Sequence, residues 1–178
     1  MAFNESFFNE IYSKVKDNDR GYLSVMRMAD HPRLRYRVFG ALARNGIRLE
    51  PHFSLPYTVL GASIARVKLT EDGELSLGRA LRLAFGENKA EDPSVQTRLR
   101  RITACESSQE LCQILPSFLR LIESRLENRH LCYRKLYELI LLFDFDLQRG
   151  RSLIVQGFYN QDAPEQNMPA SGGESAHD

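Results

Sequence analysis

Apolar residues recur along most of the chain at the three- and four-residue spacing of an amphipathic helix. The alternation of apolar and polar residues that indicates strands is poor, and no Asn-Gly pair lies between alternating runs. The predicted helical stretches are, in chain order, 7–15, 34–42, 57–66, 77–84, 95–102, 111–115, 119–126, 136–143 and 146–159. We therefore expect an all-α fold, a compact bundle of about eight to nine helices.

Capping residues and prolines set the bounds of one predicted helix in the first half of the chain. Asp30 has the position of an N-cap, with Pro32 in the first turn. Asn45-Gly46 has the composition of a helix stop. The sequence thus predicts one continuous helix over 31–44.

The second half of the chain carries the same kind of signals. Ser76 and Asp92, the latter followed by Pro93, are predicted N-caps. Ser107 lies three residues before Glu110, which is the spacing of a capping box. Pro116 is expected to break or kink the helix that follows.

Composition divides the chain into a body and a tail. A hydrophobic content of 43% is ample for a packed core. The polar stretch 87–92 predicts a loop between two lobes, about 1–86 and 93–160. Residues 161–178 consist mainly of Asn, Gln, Pro, Ser, Gly and acids, which predicts a disordered acidic tail.

Two features favour a cytoplasmic protein without a membrane partner. No apolar run approaches the roughly 20 residues that span a bilayer, and no basic segment precedes an apolar stretch at the N-terminus. The three cysteines are an odd number without close pairing, which favours a reducing compartment and small core residues over a disulfide framework.

Catalytic and metal-binding patterns are lacking in the sequence. It contains no glycine-rich loop followed by Lys-Ser or Lys-Thr. His130 and Cys132 are two residues apart, which on a helix places them on different sides and argues against a zinc site. Asp144 and Asp146 have the positions of capping residues at a helix junction. We expect a protein that is not an enzyme and that needs no metal or other cofactor.

A formal net charge of +1 hides an uneven distribution of charge. Residues 20–151 hold 22 basic and 15 acidic residues, about 22 − 15 = +7, whereas both ends of the chain are acidic. Arginines outnumber lysines 19 to 5. The guanidinium group presents a planar fork of donors that suits phosphate oxygens and stacks on bases. An arginine-rich body of this kind favours binding to a nucleic-acid backbone.

Several of these arginines are spaced to share one face of a predicted helix. The rows are Arg33, Arg37 and Arg44, then Arg79 and Arg82, then Arg98 and Arg101. In the predicted helix 31–44 the three arginines lie within roughly 40° of one another. Like charges at this spacing destabilise a helix slightly when no acid pairs with them. A row of arginines without acidic neighbours therefore favours an anionic ligand that lies along it. Tyr36 and Tyr57 lie beside the rows and are candidates for stacking on bases.

Four stretches, in this order and spacing, resemble the CasB family, the small subunit of the type I-E CRISPR Cascade surveillance complex. They are Arg20-Gly21-Tyr22-Leu23 with Arg27 and Asp30-His31-Pro32; Ser76-Leu77-Gly78-Arg79-Ala80-Leu81; Arg98-Leu99-Arg100-Arg101-Ile102-Thr103-Ala104-Cys105 with Ser108-Gln109-Glu110-Leu111; and Phe158-Tyr159. The resemblance covers most of residues 18–160, and the Ser-Leu-Gly-Arg-Ala-Leu stretch is its most specific part.

The resemblance implies an all-helical subunit without catalytic activity. Members of the family sit as a pair against the Cascade subunits that hold the guide RNA. They help to hold the hybrid of guide RNA and target DNA, and the displaced single-stranded DNA, open as an R-loop. The implied partners are these nucleic acids, the backbone and large Cascade subunits, and a second copy of the chain. The arginines in the matching stretches inherit the expectation of nucleic-acid contact: Arg27, Arg79, Arg98, Arg100 and Arg101.

The residues themselves leave two other interpretations open. In one, the chain is a helical assembly scaffold whose arginines pair with acidic patches on neighbouring subunits. In the other, it is a helical transcriptional regulator, although no clear helix-turn-helix with a base-reading face is present. The salt dependence of nucleic-acid affinity distinguishes the scaffold from a nucleic-acid-binding protein. Phosphate contacts give an affinity for nucleic acid that falls steeply as the salt concentration rises.

Overall fold

The computed structural model describes residues 3–126 and 129–160, and all their regular elements are helical. The α-helices are α1 Glu5–Lys16, α2 Arg20–Met26, α3 Phe39–Arg44, α4 Pro51–Val67, α5 Leu77–Phe85, α6 Pro93–Thr103, α7 Ser108–Arg125, α8 Tyr133–Phe145 and α9 Leu147–Tyr159. Short 3-10 helices span Arg35–Val38 and Glu87–Lys89. The predicted all-α fold is confirmed. The predicted tail, 161–178, lies outside the described residues.

Helix α4 forms the centre of the core. All of residues 54–65 are buried, and the helix packs against α1, α2, α7 and α8. A helix that is apolar on every side must be surrounded by others, so α4 determines where its neighbours lie. None of the helices in the described ranges is both long and apolar enough to cross a membrane.

Three predicted N-caps are confirmed. The side chains of Ser76, Asp92 and Ser107 each accept a hydrogen bond from an N–H two or three residues later, at 3.5, 2.8 and 3.2 Å. Glu110 reaches back to the N–H of Glu106 at 2.9 Å, one residue before the position that a capping box would use. Helices α5, α6 and α7 therefore begin where local sequence chemistry places them.

The predicted capping role of the aspartates at the α8–α9 junction is also confirmed. Asp146 accepts from the N–H of Arg149 at 3.1 Å and so caps α9. Asp144 accepts from the N–H of Ser108 at 2.9 Å. It therefore caps α7 from a different helix, a contact that ties the end of α8 to the start of α7.

The predicted helix over 31–44 is wrong. The chain instead passes through turns into the 3-10 helix Arg35–Val38 and then into α3. Asp30 caps nothing here, because its buried carboxylate accepts from Arg66 at 2.9 Å and Arg120 at 2.8 Å. A tertiary ion pair has displaced the local cap. The stop at Asn45-Gly46 is confirmed, with Gly46 in the left-handed region at φ 70°.

Pro116 does not break its helix, so the predicted break is wrong, whereas a kink at Pro116 stays a prediction. The two stretches predicted on either side of it form the single helix α7, with Pro116 inside. Proline removes one hydrogen bond from a helix interior, at a cost of about 3 kcal/mol. Leu115, Phe118 and Leu119 are buried around it, and we attribute the continuity of α7 to this packing.

Helices α5 and α9 pack with their backbones in close contact at Gly78. An ideal Cβ built on Gly78 would lie 2.3 Å from the carbonyl oxygen of Ile154 and 2.7 Å from the nitrogen of Phe158. The glycine thus lets the two backbones approach directly. Buried residues on both sides of 87–92 belong to one hydrophobic cluster, and the division into two lobes stays a prediction.

Candidate nucleic-acid interface

One face of α2 borders an open groove of about 470 Å³, which we call the basic groove. It is lined by Asn18, Arg20, Leu23, Ser24, Arg27 and Lys68. Three of these residues are cationic and none is acidic. The groove is therefore a concentrated positive site with hydrogen-bonding groups from Asn18 and Ser24 beside the charges.

Two left-handed residues and one hydrogen bond build the basic groove. Asn18, at φ 51°, turns the chain between α1 and α2, and Lys68, at φ 55°, ends α4. Arg27 follows the last residue of α2 and donates its Nε–H to the carbonyl oxygen of Ala65 at 3.0 Å. That contact anchors the guanidinium group while its two Nη atoms donate to no residue in the described part of the chain. The fork of Arg27 is thus available to an anion.

The opposite face of α2 borders a second groove, of about 380 Å³, which we call the arginine-rimmed groove. It is lined by Gly21, Tyr22, Val25, Met26, Arg37, Val38, Gly40, Ala41 and Arg44. The structure therefore brings Arg37 and Arg44 together, although not on one α-helix as the sequence predicted. Arg44 pairs with Glu10 at 3.2 Å, while its side chain remains 65% exposed.

Arg33 is exposed in the turn before the 3-10 helix, and no ion pair joins it to a described residue. Since it lies in a turn and Arg37 in a 3-10 helix, the predicted common α-helical face of Arg33, Arg37 and Arg44 does not exist. The contact of Arg33 with nucleic acid stays a prediction.

The two arginines of α5 differ from the predicted surface row. Arg79 is mostly buried and pairs with Glu87 at 2.9 Å. Arg82 is only 6% exposed, with its guanidinium 5.5 Å from the ring centre of Phe158. The prediction that Arg82 lies on the surface is wrong, because α9 packs over this side of α5.

Replacing Arg82 by methionine is expected to leave the free energy of unfolding unchanged or to raise it by about 1 kcal/mol. The Nε and Nη1 atoms of Arg82 are buried without a hydrogen-bond partner in the described residues. An apolar side chain of similar length would remove that desolvation cost. Urea unfolding followed by circular dichroism measures the change. A loss above about 1 kcal/mol would show that the contact with Phe158 outweighs burial of the charge.

Helix α6 presents the arginine row as predicted. Val95, Leu99 and Ile102 are buried against the body, and Arg98 and Arg101 are exposed on the outer side. The guanidinium of Arg98 lies 5.7 Å from the ring centre of Phe85. This surface is a second candidate for phosphate contact.

Of the two tyrosines predicted beside the rows, only Tyr36 is accessible. It is 60% exposed in the 3-10 helix, next to Arg37. Tyr57 is 3% exposed and donates its hydroxyl to that of Tyr137 at 2.8 Å, so its predicted stacking on bases is wrong. Stacking by Tyr36 stays a prediction.

A buried polar network occupies the guanidinium group of Arg66. Arg66 donates to both carboxylate oxygens of Glu123, at 2.9 and 3.0 Å, and to Asp30 at 2.9 Å. Burial lowers the pKa of Arg66, but the hydrogen bonds and charges of Glu123 and Asp30 outweigh it and raise the pKa overall. Arg66 is therefore a structural residue.

The cysteines are core residues, as predicted. Cys105, Cys112 and Cys132 are all buried and none forms a disulfide. Burial raises the pKa of each thiol, which keeps the sulfur protonated and unreactive at neutral pH.

Sequence reasoning missed two residues of the basic groove, Arg20 and Lys68. Arg20 lies seven residues before Arg27, a spacing that returns to nearly the same face of a helix, so the sequence does carry a signal for it. Lys68 had no comparable signal, because only the packing of α2 on α4 brings it beside them.

A family model described as CRISPR-associated protein Cse2 matches residues 23–159. The chain belongs to this family, which is also called CasB. A Cse2 protein is a structural subunit of a CRISPR Cascade complex, so other Cascade subunits are partners of this chain. The match includes Arg27, Lys68 and every predicted arginine, and it ends at the last residue of α9. Comparisons with curated proteins and with solved structures give no match.

Proposed function

We propose that this Cse2-family chain stabilises the R-loop of its Cascade complex. It acts without catalysis and holds the hybrid of guide RNA and target DNA together with the displaced DNA strand. The observation that carries the proposal is the basic groove, in which Arg20, Arg27 and Lys68 converge without a lining acid. The exposed arginines of α6 extend the cationic surface.

Phosphate binding of this kind suits R-loop stabilisation. Base pairing between guide and target reads the sequence, so a stabilising subunit needs contacts to the backbone rather than to base edges. Exchange of the DNA duplex for the hybrid is nearly balanced in free energy. A few phosphate contacts, each releasing counterions, therefore suffice to shift it toward the open state. Attachment to the complex raises the effective concentration of these weak contacts.

A scaffold function, in which the arginines pair with acidic neighbours, is the alternative. Arg44, Arg79 and Arg120 already pair with acids of this chain. Arg20 and Lys68 have no ion pair with a described residue, and no acid lines their groove. We infer that protein contacts, including those to a second copy of the chain, lie elsewhere; Phe145, 71% exposed at the α8–α9 corner, is available for them.

A double variant, Arg20→Ala with Lys68→Asn, tests the proposal. Asparagine tolerates the left-handed conformation at position 68, and the structural contact of Arg27 with Ala65 is retained. Affinity for single-stranded DNA, measured by fluorescence anisotropy over a range of salt concentrations, should fall. The log–log salt slope should flatten by about 1.4, since each lost contact removes about 0.7.

The matched control is Lys89→Ala with Arg149→Ala, which removes the same charge from exposed positions outside the groove. It should leave the slope nearly unchanged. Equal slopes for the two variants would place the phosphate contacts elsewhere. No affinity of the wild-type chain at any salt concentration would favour the scaffold, and strong preference for one sequence would favour a transcriptional regulator.

A further inference from the structure

Helix α2 separates two grooves of different chemistry. Residues 20, 23, 24 and 27 line the basic groove, and residues 21, 22, 25 and 26 line the arginine-rimmed groove. At about 100° per residue, the two sets face directions roughly 180° apart. The basic groove is lined mainly by charged and polar groups, whereas the arginine-rimmed groove is lined mainly by apolar ones. One ligand that touches both must have a charged part and an apolar part.

Two glycines keep the arginine-rimmed groove open. A Cβ built on Gly40 would meet only Arg44 Nη1, at 3.7 Å, and a Cβ on Gly21 would meet only Asp19 Oδ1, at 3.7 Å. Both distances are ordinary van der Waals contacts. A side chain at either position would therefore extend into the groove without a clash at its base. The space above Tyr22 and Val25 thus depends on the absence of these side chains.

The charges beside this groove favour an anionic ligand. Arg37 is exposed and has no ion pair with a described residue, and no carboxylate lines the groove. Among the described residues Arg44 pairs with Glu10, and the side chain of Arg44 is 65% exposed while that of Glu10 is 22% exposed, so the guanidinium group stays open to solvent on one side. A phosphate can therefore compete for Arg44. The site combines an apolar surface with two guanidinium groups at its edge.

We propose that the arginine-rimmed groove receives one unstacked base of a single-stranded nucleic acid, while the backbone of that strand crosses α2 to the basic groove. The inference rests on the proposed function and specifies its ligand. With side chains, α2 is about 10 Å across, a distance that a few nucleotides of a single strand can span. Bases inside a duplex are stacked and cannot enter, so the two grooves together select a single strand over the hybrid.

The test compares two oligonucleotides that carry the same number of phosphates, oligo-dT and an abasic strand of equal length. The full chain should bind oligo-dT roughly tenfold more tightly than the abasic strand, because only the former places a base in the groove. Gly40→Leu fills the groove and should abolish most of this tenfold difference. It should leave affinity for the abasic strand unchanged, because no charge is altered.

Ala43→Leu is the matched control, since it adds the same side chain to α3 at an exposed position that does not line the groove. It should change neither affinity. Circular dichroism verifies that both variants are folded.

The outcomes separate this inference from the proposed function. Equal affinity of the wild-type chain for both strands, with a steep salt dependence, would overturn the inference and leave phosphate binding intact. No salt-dependent binding of either strand would overturn both. If Gly40→Leu binds both strands as the wild-type chain does but fails to co-purify with other Cascade subunits, the groove is a protein-docking site and the inference is wrong.

Discussion

Replacing Glu123 by alanine is expected to lower the free energy of unfolding by about 3 kcal/mol. Glu123 accepts two hydrogen bonds from Arg66 and a third, at 2.7 Å, from the hydroxyl of Ser63. The side chains of Arg66 and Glu123 are 18% and 13% exposed. Without Glu123, the Nε and Nη2 atoms of Arg66 lose their partners in a site that water reaches poorly. Urea unfolding followed by circular dichroism measures the loss.

Two further variants separate loss of this contact from loss of a negative charge. Glu74→Ala removes an exposed glutamate that makes no ion pair with a described residue, and should change stability by less than about 0.5 kcal/mol. Arg66→Met combined with Glu123→Leu removes both charges together. Its loss should be smaller than the sum of the single losses, because no charge is left unpaired. A loss below about 1 kcal/mol in Glu123→Ala would show that the network contributes little.

The same network explains why one predicted helix does not form. Asp30 with Pro32 has a strong local signal for a helix start. The carboxylate of Asp30 instead binds Arg66 and Arg120, which are 36 and 90 residues away in the chain. A cap contributes about 1 kcal/mol, whereas loss of one member of a buried ion pair costs about 3–5 kcal/mol. A pattern that spans only a few residues contains no information about an ion pair formed with residues so distant in the chain.

Where local chemistry has no such competitor, the sequence predicts the fold well. Helices α5, α6 and α9 begin directly after their N-caps Ser76, Asp92 and Asp146, as the sequence predicts. These side chains act on N–H groups within three residues of themselves. Their effect is therefore contained in the sequence window from which it was inferred.

Burial of individual arginines could not be predicted in the same way. Arg79 with Arg82 and Arg98 with Arg101 have the same spacing, and both pairs lie on amphipathic helices. Only the first pair is covered, because α9 packs on α5. The basic groove likewise combines a local feature with a tertiary one. The seven-residue spacing of Arg20 and Arg27 is visible in the sequence, whereas Lys68 lies beside them only because α2 packs on α4.

The most specific stretch of the family resemblance, Ser76-Leu77-Gly78-Arg79-Ala80-Leu81, has a structural explanation. Ser76 caps α5, and Leu77, Ala80 and Leu81 are buried in the core. Gly78 lies where the backbone of α9 crosses. The resemblance therefore reports mainly how α5 packs on α9, and it carries information about the fold more directly than about nucleic-acid contact.

Replacing Gly78 by alanine is accordingly expected to lower the free energy of unfolding by about 3 kcal/mol. The added Cβ would lie 2.3 Å from the oxygen of Ile154, 2.7 Å from the nitrogen of Phe158 and 2.9 Å from the carbonyl carbon of Gly157. All three atoms belong to the backbone of α9, so no side-chain rotation relieves the clash. The two helices must separate, which exposes part of the core between them. Urea unfolding followed by circular dichroism measures the effect.

Gly21→Ala is the matched control, since it makes the same substitution in α2, where the nearest atom to the new Cβ is 3.7 Å away. Alanine is favoured over glycine in a helix, so this variant should be as stable as the wild-type chain or more stable by about 0.5 kcal/mol. The two substitutions differ only in what lies beside the glycine. Equal stability of the two variants would mean that α9 adjusts to the added methyl group, and that the close contact between α5 and α9 does not require glycine.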